Sequence, residues 1–162
     1  MNKKGHVING VLLSIGIGFI LEPAGNEATF VEILEVGLPI TLGALFPDVD
    51  TAFGSHRKTL HNLGVMGVFV AFPYVFGNLQ FVWIGVLTHY VLDVLGSTRG
   101  IALFYPYPKE YGLPVGVNVT SEHADLVTIA VTGFELAVCY ALVYHIPWAS
   151  LEFENGLHAL GL

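Results

Sequence analysis

Histidine and aspartate residues recur at three separate places in this chain of 162 residues. Imidazole nitrogens together with carboxylate oxygens suit zinc, manganese or iron(II) better than magnesium. His89 and Asp93 have the i, i+4 spacing that places two side chains on one face of a helix, so a single helix could offer both to one ion. The candidate metal ligands are His6, Asp48, Asp50, His56, His61, His89 and Asp93.

This candidate set is larger than one tetrahedral zinc requires, because about four ligands complete such a site. We therefore predict two divalent ions, zinc or manganese, bridged by one carboxylate from either Asp48 or Asp50. A metal can lower the pKa of a bound water towards about 7, which makes a metal-activated water the expected nucleophile. Arg57 lies between the two loop histidines and could contact an anionic phosphoryl oxygen. The predicted catalytic residues are Asp48, Asp50 and Arg57, with a topology anchor as the alternative role of Arg57.

Composition indicates that these residues are positioned by a membrane protein. Charged residues make up 12% of the chain, against roughly 25% in typical soluble domains. Hydrophobic residues make up 54%, and the mean hydropathy is +0.67. Such a chain has too few charges for a solvated shell, whereas a bilayer would solvate its apolar surface. The net charge of −7 disfavours a nucleic-acid partner, which would require a basic patch.

Apolar segments divide the chain into candidate spans. They are continuously apolar instead of alternating, which favours membrane helices over barrel strands. We predict an all-α integral membrane bundle of about five transmembrane helices, forming a single domain over residues 1–162. The predicted helices cover residues 7–21, 30–46, 62–77, 79–95 and 124–148, and the predicted cytoplasmic loops cover residues 47–61 and 96–122.

The basic residues predict the orientation of this bundle. With the N-terminus in the cytoplasm, all 6 lysines and arginines fall on the cytoplasmic side of the five segments. This distribution obeys the positive-inside rule. The predicted location is the inner (cytoplasmic) membrane, with several spans and with the metal site on the cytoplasmic face. Gly10 and Ser14 share a helical face with His6, which predicts close packing between the first and fourth helices there.

Several motifs resemble those of the membrane-bound metal-dependent hydrolase family, also described as LexA-binding, inner-membrane-associated hydrolases. Residues 43–50, GALFPDVD, resemble its G-x-L-x-P-D-[IV]-D signature. Residues 56–61, HRKTLH, are similar to its H-R-x-x-x-H element, and residues 88–93, THYVLD, to its S-H-x-x-x-D helix. Residues 100–106 resemble the G-I-x-L-x-x-P stretch that follows, and His6 matches an N-terminal histidine. The resemblance covers about residues 1–110.

The resemblance implies a membrane-embedded, metal-dependent hydrolase without specifying its substrate. A site at the membrane surface would meet lipid, so we expect a phosphodiesterase-like activity on a phosphoester or ester of a lipid or amphiphile. Membrane lipid and a small-molecule or lipid substrate are the expected partners.

Two other functions use the same residues without hydrolysis. A metal-binding transporter or sensor would pass or detect ions, although transporters normally have a site near the middle of the membrane. A membrane scaffold would keep the polar cluster for structure alone. Glu122 and His123 could add a ligand or a proton shuttle, while Glu135 lies within the fifth helix with no assigned role.

Overall fold

The protein is an all-helical bundle in a computed structural model that describes residues 3–77, 79–113, 116–118 and 120–145. Its five α-helices are α1 (Lys3–Leu21), α2 (Glu27–Leu45), α3 (Leu63–Phe76), α4 (Val82–Leu95) and α5 (Ala124–His145). A short 3-10 helix, Pro47–Ala52, follows α2. Within the described ranges, β-structure is limited to two isolated bridges, so the predicted all-α fold class is confirmed.

Three helical segments are long and apolar enough to cross a membrane: Lys3–Leu21, Glu27–Ala52 and Ala124–His145. Helices α3 and α4 are shorter, with 14 residues each. A helix of that length extends about 21 Å, against a hydrocarbon core of about 30 Å. The long helices direct large apolar side chains outward, as at Phe19, Leu38 and Phe134. This surface suits lipid and fits a helical membrane protein.

Helix boundaries differ from the predicted ones at several places. Helix α1 begins at Lys3 instead of residue 7, which puts His6 inside the helix. Helix α4 begins at Val82 instead of residue 79, because Leu79 takes a positive φ of 57° that a helix cannot contain. The 3-10 helix occupies the start of the predicted loop 47–61. The predicted end of the fifth helix, residues 146–148, lies outside the described residues.

Glycines allow α2 and α4 to approach closely. A Cβ atom on Gly85 would collide with the backbone of Ile40, Gly43 and Ala44, and one on Gly43 would collide with the backbone of Val82. Small residues at such crossings let membrane helices pack backbone to backbone. Helices α1 and α4 do meet near His6, where its ring stacks on His89 and Asn9 bonds to Thr88, but Gly10 itself faces Thr41 and Ala44 of α2. Helix α1 thus packs against both α2 and α4 at this level.

Helices α1 and α5 run parallel, as contacts at both ends show. Near their starts, Lys4 Nζ lies 2.7 Å from Asp125 Oδ2. Near their ends, the Tyr144 hydroxyl donates to the carbonyl of Ile20 at 2.7 Å. His6, close to the start of α1, therefore lies at the same end of the bundle as Asp125.

The connection between α4 and α5 folds back over this end. The backbone of Ile101 pairs with that of Tyr111 in both directions, at 2.9 and 2.8 Å. Ala102 N donates to the carbonyl of Arg57, and Leu63 N donates to the carbonyl of Leu103. These bonds tie the loops after α2 and α4 to each other and enclose the polar residues beneath them.

Candidate metal centre

The structure brings the predicted ligands together at one end of the bundle. Two groups of side chains have potential ligand atoms that all lie within 4.8 Å of one another. The first is His6, His89 and Asp93, and the second is Asp48, His56 and His61. Asp50 contacts both histidines of the second group. All seven residues thus converge, although they come from α1, the 3-10 helix, the following loop and α4.

The His89 ring is oriented by a backbone carbonyl. Its Nδ1 lies 2.6 Å from the carbonyl oxygen of Ala44, which can only accept a hydrogen bond. Nδ1 must therefore carry the hydrogen, which leaves Nε2 of a neutral ring with a free lone pair. The Gly43–Gly85 crossing described above brings Ala44 this close to α4. Local packing of α2 and α4 thereby selects the tautomer that presents Nε2 to the site.

His61 is oriented in the same way by a carboxylate. Its Nδ1 lies 3.0 Å from Asp50 Oδ2, and the side chain is fully buried. Burial lowers the pKa of His61 despite the opposing effect of Asp50 and Asp93, which favours the neutral ring at neutral pH. With Nδ1 as the donor, Nε2 of His61 also presents a lone pair. This carboxylate–histidine arrangement is the usual support of a metal-binding imidazole.

The two lone pairs face each other. His61 Nε2 and His89 Nε2 are 3.0 Å apart, and both rings are fully buried. Two acceptors at this distance repel unless a cation lies beside them. Nitrogens bound to one tetrahedral zinc at about 2.0–2.1 Å are about 3.3 Å apart, close to the observed separation. The geometry therefore fits a metal ion held by both nitrogens.

The environment of the His6 ring also favours a metal ligand role. Its ring stacks on that of His89, with centroids 3.7 Å apart and planes 9° from parallel. The side chain is fully buried, and among the described residues neither Nδ1 nor Nε2 has a hydrogen-bond partner. Its Nε2 is 3.5 Å from Asp93 Oδ1, beyond ordinary hydrogen-bond distance. Buried polar atoms are nearly always satisfied, so this ring is positioned for a ligand that completes it.

Asp93 lies between the histidines and a buried arginine. Its Oδ2 is 3.7 Å from Nε2 of both His61 and His89. Its Oδ1 is 3.5 Å from Arg57 Nη2. Arg57 is 5% exposed, and its Nη1 donates to Ser97 Oγ at 3.0 Å and to a backbone carbonyl at 2.7 Å. The guanidinium is thus fixed against Asp93.

Backbone geometry at Arg57 is unusual. Its φ is 67°, in the left-handed region that side-chain-bearing residues seldom adopt. The side chain of this residue is the one that contacts Asp93 of α4. Non-glycine residues held in such conformations often mark functional sites, because the surrounding structure must compensate for the strain.

Asp48 lies at the accessible edge of the site. Its Oδ1 is 3.8 Å from both His89 Nε2 and His56 Nδ1. The His56 side chain is 41% exposed, which makes it the most accessible of the histidines in the cluster. A cleft of about 260 Å³ reaches Asp48 from outside, and it is lined by Lys3, Leu45, Asp48, Val49, Thr51 and Ala52.

Asp50 is placed differently from Asp48. It is fully buried, and its oxygens lie 3.1 Å from His56 Nδ1, 3.0 Å from His61 Nδ1 and 3.3 Å from the backbone nitrogen of Leu60. Both oxygens are thus used in orienting the loop and its histidines.

Sequence reasoning missed three supporting groups. The carbonyl of Ala44 and the hydroxyl of Ser97 carry no sequence signal for this role. Tyr90 is different, since it lies inside the 88–93 motif, and its hydroxyl contacts the backbone of Leu60 and Asn62. Glu122 and His123 are exposed and belong to neither group of potential ligands.

A helical membrane protein with buried histidines and aspartates clustered at one end is the class that fold and site define. Within that class, the chain belongs to the YdjM inner membrane protein family, whose model matches residues 1–153. Membrane location is thereby established, whereas the cytoplasmic sidedness of the site stays a prediction. No curated protein and no solved structure matches the chain.

Proposed function

We propose that this protein is a membrane-embedded, metal-dependent hydrolase of a phosphoester or ester of a lipid or amphiphile. The observation that carries the proposal is the pair of imidazole Nε2 atoms of His61 and His89, which face each other 3.0 Å apart. Each ring has its hydrogen fixed on Nδ1 by an acceptor behind it. A divalent cation is the partner that both lone pairs fit.

Five of the predicted residues would hold metal. His61, His89 and Asp93 surround one position, with carboxylate-to-nitrogen distances of 3.7 Å. His6 lies 3.5 Å from Asp93, and Asp48 lies 3.8 Å from His89. Asp50, by contrast, acts as an orienting carboxylate. The presence of two groups of potential ligands among the described residues is the support for proposing two ions, zinc or manganese.

A bound divalent metal supplies Lewis acidity and the activation of water for hydrolysis. The residues of the chain contribute position and charge. Arg57 holds Asp93 in position, since its guanidinium is engaged with that carboxylate and with Ser97. Direct contact of Arg57 with a phosphoryl oxygen would require it to turn from these partners, so we assign it a positioning role first.

The cleft beside Asp48 supports an amphiphilic substrate. Lys3 supplies a positive charge at its rim, and Leu45 and Val49 supply apolar walls. It lies at the ends of apolar helices, where lipid head groups meet water. An anionic head group could contact Lys3 while the ester bond reaches Asp48 and the chain follows the apolar wall.

The test uses purified protein in lipid nanodiscs with zinc or manganese, screened against phospholipids and phosphodiesters. We expect wild-type protein to hydrolyse substrate and a chelator to abolish this activity. Asp48→Ala and His89→Ala should each reduce the rate of hydrolysis to background. His123→Ala is the matched control, because this exposed histidine lies outside both groups. Full activity in either site variant would refute the assignment.

A metal transporter or sensor would use the same ligands. Metal flux into proteoliposomes that His89→Ala abolishes, without any hydrolysis, would favour that function. Protein that neither binds metal nor hydrolyses substrate would favour a scaffold.

A further inference from the structure

A second buried polar cluster lies within the bundle, away from the candidate ligands. Glu135 of α5 meets Asn9 of α1 and Thr88 of α4, and Thr132 lies one turn earlier on α5. Asn9, Thr88 and Thr132 are at most 2% exposed. An ionisable residue within a membrane helix is costly and usually functional. The question is therefore whether the Glu135 carboxyl carries a proton.

The short contacts of Thr88 indicate whether Glu135 is protonated, because each contact between two oxygens requires one hydrogen. Thr88 Oγ1 lies 2.6 Å from Asn9 Oδ1 and 2.6 Å from Glu135 Oε1. Both separations are hydrogen-bond lengths, but a hydroxyl has only one hydrogen to donate. If Thr88 donates to the amide oxygen of Asn9, the second hydrogen must come from Glu135.

The remaining bonds agree with this assignment. Asn9 Nδ2 donates to Glu135 Oε2 at 2.8 Å and to Thr132 Oγ1 at 2.9 Å, which uses both amide hydrogens. Thr132 Oγ1 donates its own hydrogen to the carbonyl of Thr128 at 2.8 Å. Every hydrogen of these side chains is therefore used, and the carboxylic hydrogen completes the network.

Reversing the Asn9 amide leads to the same result. Amide oxygen and nitrogen are assigned from the hydrogen-bond network, so both orientations must be compared. In the reversed orientation the amide oxygen would face Glu135 Oε2. These two oxygens would again need a hydrogen between them, which the carboxyl would supply.

A metal ion does not fit between Thr88 Oγ1 and Glu135 Oε1. Two oxygens that bind one ion, each at about 2.3–2.6 Å from it, lie further apart than the 2.6 Å between these atoms.

A groove of about 230 Å³ between α4 and α5 leads to this carboxyl from the lipid side. The other residues that line it are uncharged, and Cys139, one turn along α5, is the titratable one among them. Helix α1 contributes Leu13, and α4 contributes its apolar outer face. An apolar wall of this kind excludes water and favours the neutral acid.

We propose that Glu135 is a proton-binding site inside the bilayer, held as the neutral acid by Asn9 and Thr88 and open to lipid through this groove. The bound proton joins α5 to Asn9 of α1 and to Thr88 of α4. The proposal does not depend on metal binding or hydrolysis.

Infrared difference spectroscopy tests the proton directly. The spectrum of wild-type protein in nanodiscs minus that of Glu135→Gln, at pH 7, should contain the carbonyl band of a protonated carboxylic acid. Thr88→Val should shift this band, since it removes a hydrogen bond, whereas Thr128→Val should leave it unchanged, because the Thr128 hydroxyl donates to the carbonyl of Ala124 and the backbone carbonyl that Thr132 contacts is kept. A carboxylate band in place of the acid band would overturn the proposal.

Lipid access is tested on the wild-type chain, which avoids any folding defect of a variant. Dicyclohexylcarbodiimide is an apolar reagent that accepts the proton of a carboxylic acid on nitrogen while the carboxylate oxygen bonds to its central carbon. Rearrangement to the N-acylurea retains the whole reagent, so peptide mass mapping would locate the adduct. We expect an adduct on Glu135 that is lost in Glu135→Gln. Absence of the adduct from wild-type protein would refute access through the groove.

Discussion

Two buried polar clusters in the described part of the chain differ in whether their polar atoms have hydrogen-bond partners. In the cluster around Asn9 and Glu135, each side-chain hydrogen has an acceptor once the carboxyl carries its proton. In the cluster around His61 and His89, two lone pairs meet, and the ring of His6 has no hydrogen-bond partner. Since unsatisfied buried polar groups are costly, we propose a cation for the cluster around His61 and His89 and a proton for the cluster around Glu135.

The largest expected effect is loss of metal binding on truncation of an oriented imidazole. His61→Ala removes one of the two facing nitrogens and leaves Asp50 without a buried partner. We expect zinc affinity to fall by more than the roughly 10–100-fold typical of residues that only orient a ligand. Isothermal titration of metal-free protein measures this change, with His123→Ala as the control. Unchanged affinity would remove the distinction between the two clusters.

A smaller effect is expected at the orienting carboxylate. Asp50→Asn replaces an acceptor facing His61 Nδ1 with an amide that can present a donor, which disfavours the required tautomer. Zinc affinity should fall by about 10–100-fold while some binding remains. The same titration, with exposed Asp125→Asn as the matched control, measures it. Complete loss of binding would instead make Asp50 a direct ligand, as the sequence alone suggested.

The packing of α2 against α4 should affect the candidate metal centre, because it places the Ala44 carbonyl that orients His89. Gly85→Ala forces these backbones apart, because its Cβ would overlap the backbone of Ile40 and Ala44. We expect a loss of about 1–3 kcal/mol in stability, as for other overpacked sites, and weaker zinc binding.

Gly133→Ala is the matched control for this packing effect. Nothing lies within 4 Å of a Cβ at that position, so helix propensity should dominate there. Its stability should be unchanged or raised by about 0.5–1 kcal/mol. Thermal unfolding of both variants in the same detergent makes the comparison, and equal melting temperatures would refute the role of the Gly43–Gly85 crossing.

The smallest effect is expected where α1 and α5 meet at the surface. Lys4 and Asp125 form an exposed ion pair, with side chains 66% and 55% accessible. Exposed pairs of this kind contribute at most about 1 kcal/mol. Lys4→Gln should therefore leave both zinc affinity and the melting temperature nearly unchanged. A large change in zinc affinity would mean that the site depends on surface charge beyond the buried ligands.

Sequence patterns predicted the all-helical fold and singled out side chains that the structure brings close together, while their role as metal ligands stays a prediction. Continuous apolar runs predicted the all-α class, and the i, i+4 spacing of His89 and Asp93 predicted that one helix presents both side chains. The number of full spans was harder, because composition alone did not separate the short α3 and α4 from the long helices.

Details that depend on tertiary contact could not be predicted. The tautomer of His89 is set by the carbonyl of Ala44, which becomes a neighbour only when two glycines meet across α2 and α4. The contact of Arg57 with Asp93 joins a loop to a helix further along the chain and has no local sequence pattern. Glu135 had no assigned role, because its partners Asn9 and Thr88 are distant in sequence and show no local pattern.

Metal content of the purified protein tests the central claim most directly. Elemental mass spectrometry on detergent-purified wild-type protein should find one to two equivalents of zinc or manganese per chain, in line with the two groups of potential ligands. A His61→Ala, His89→Ala double variant of equal helix content should be metal-free. Wild-type protein that is metal-free and takes up neither metal on titration would contradict the claim that the facing imidazoles form a metal site.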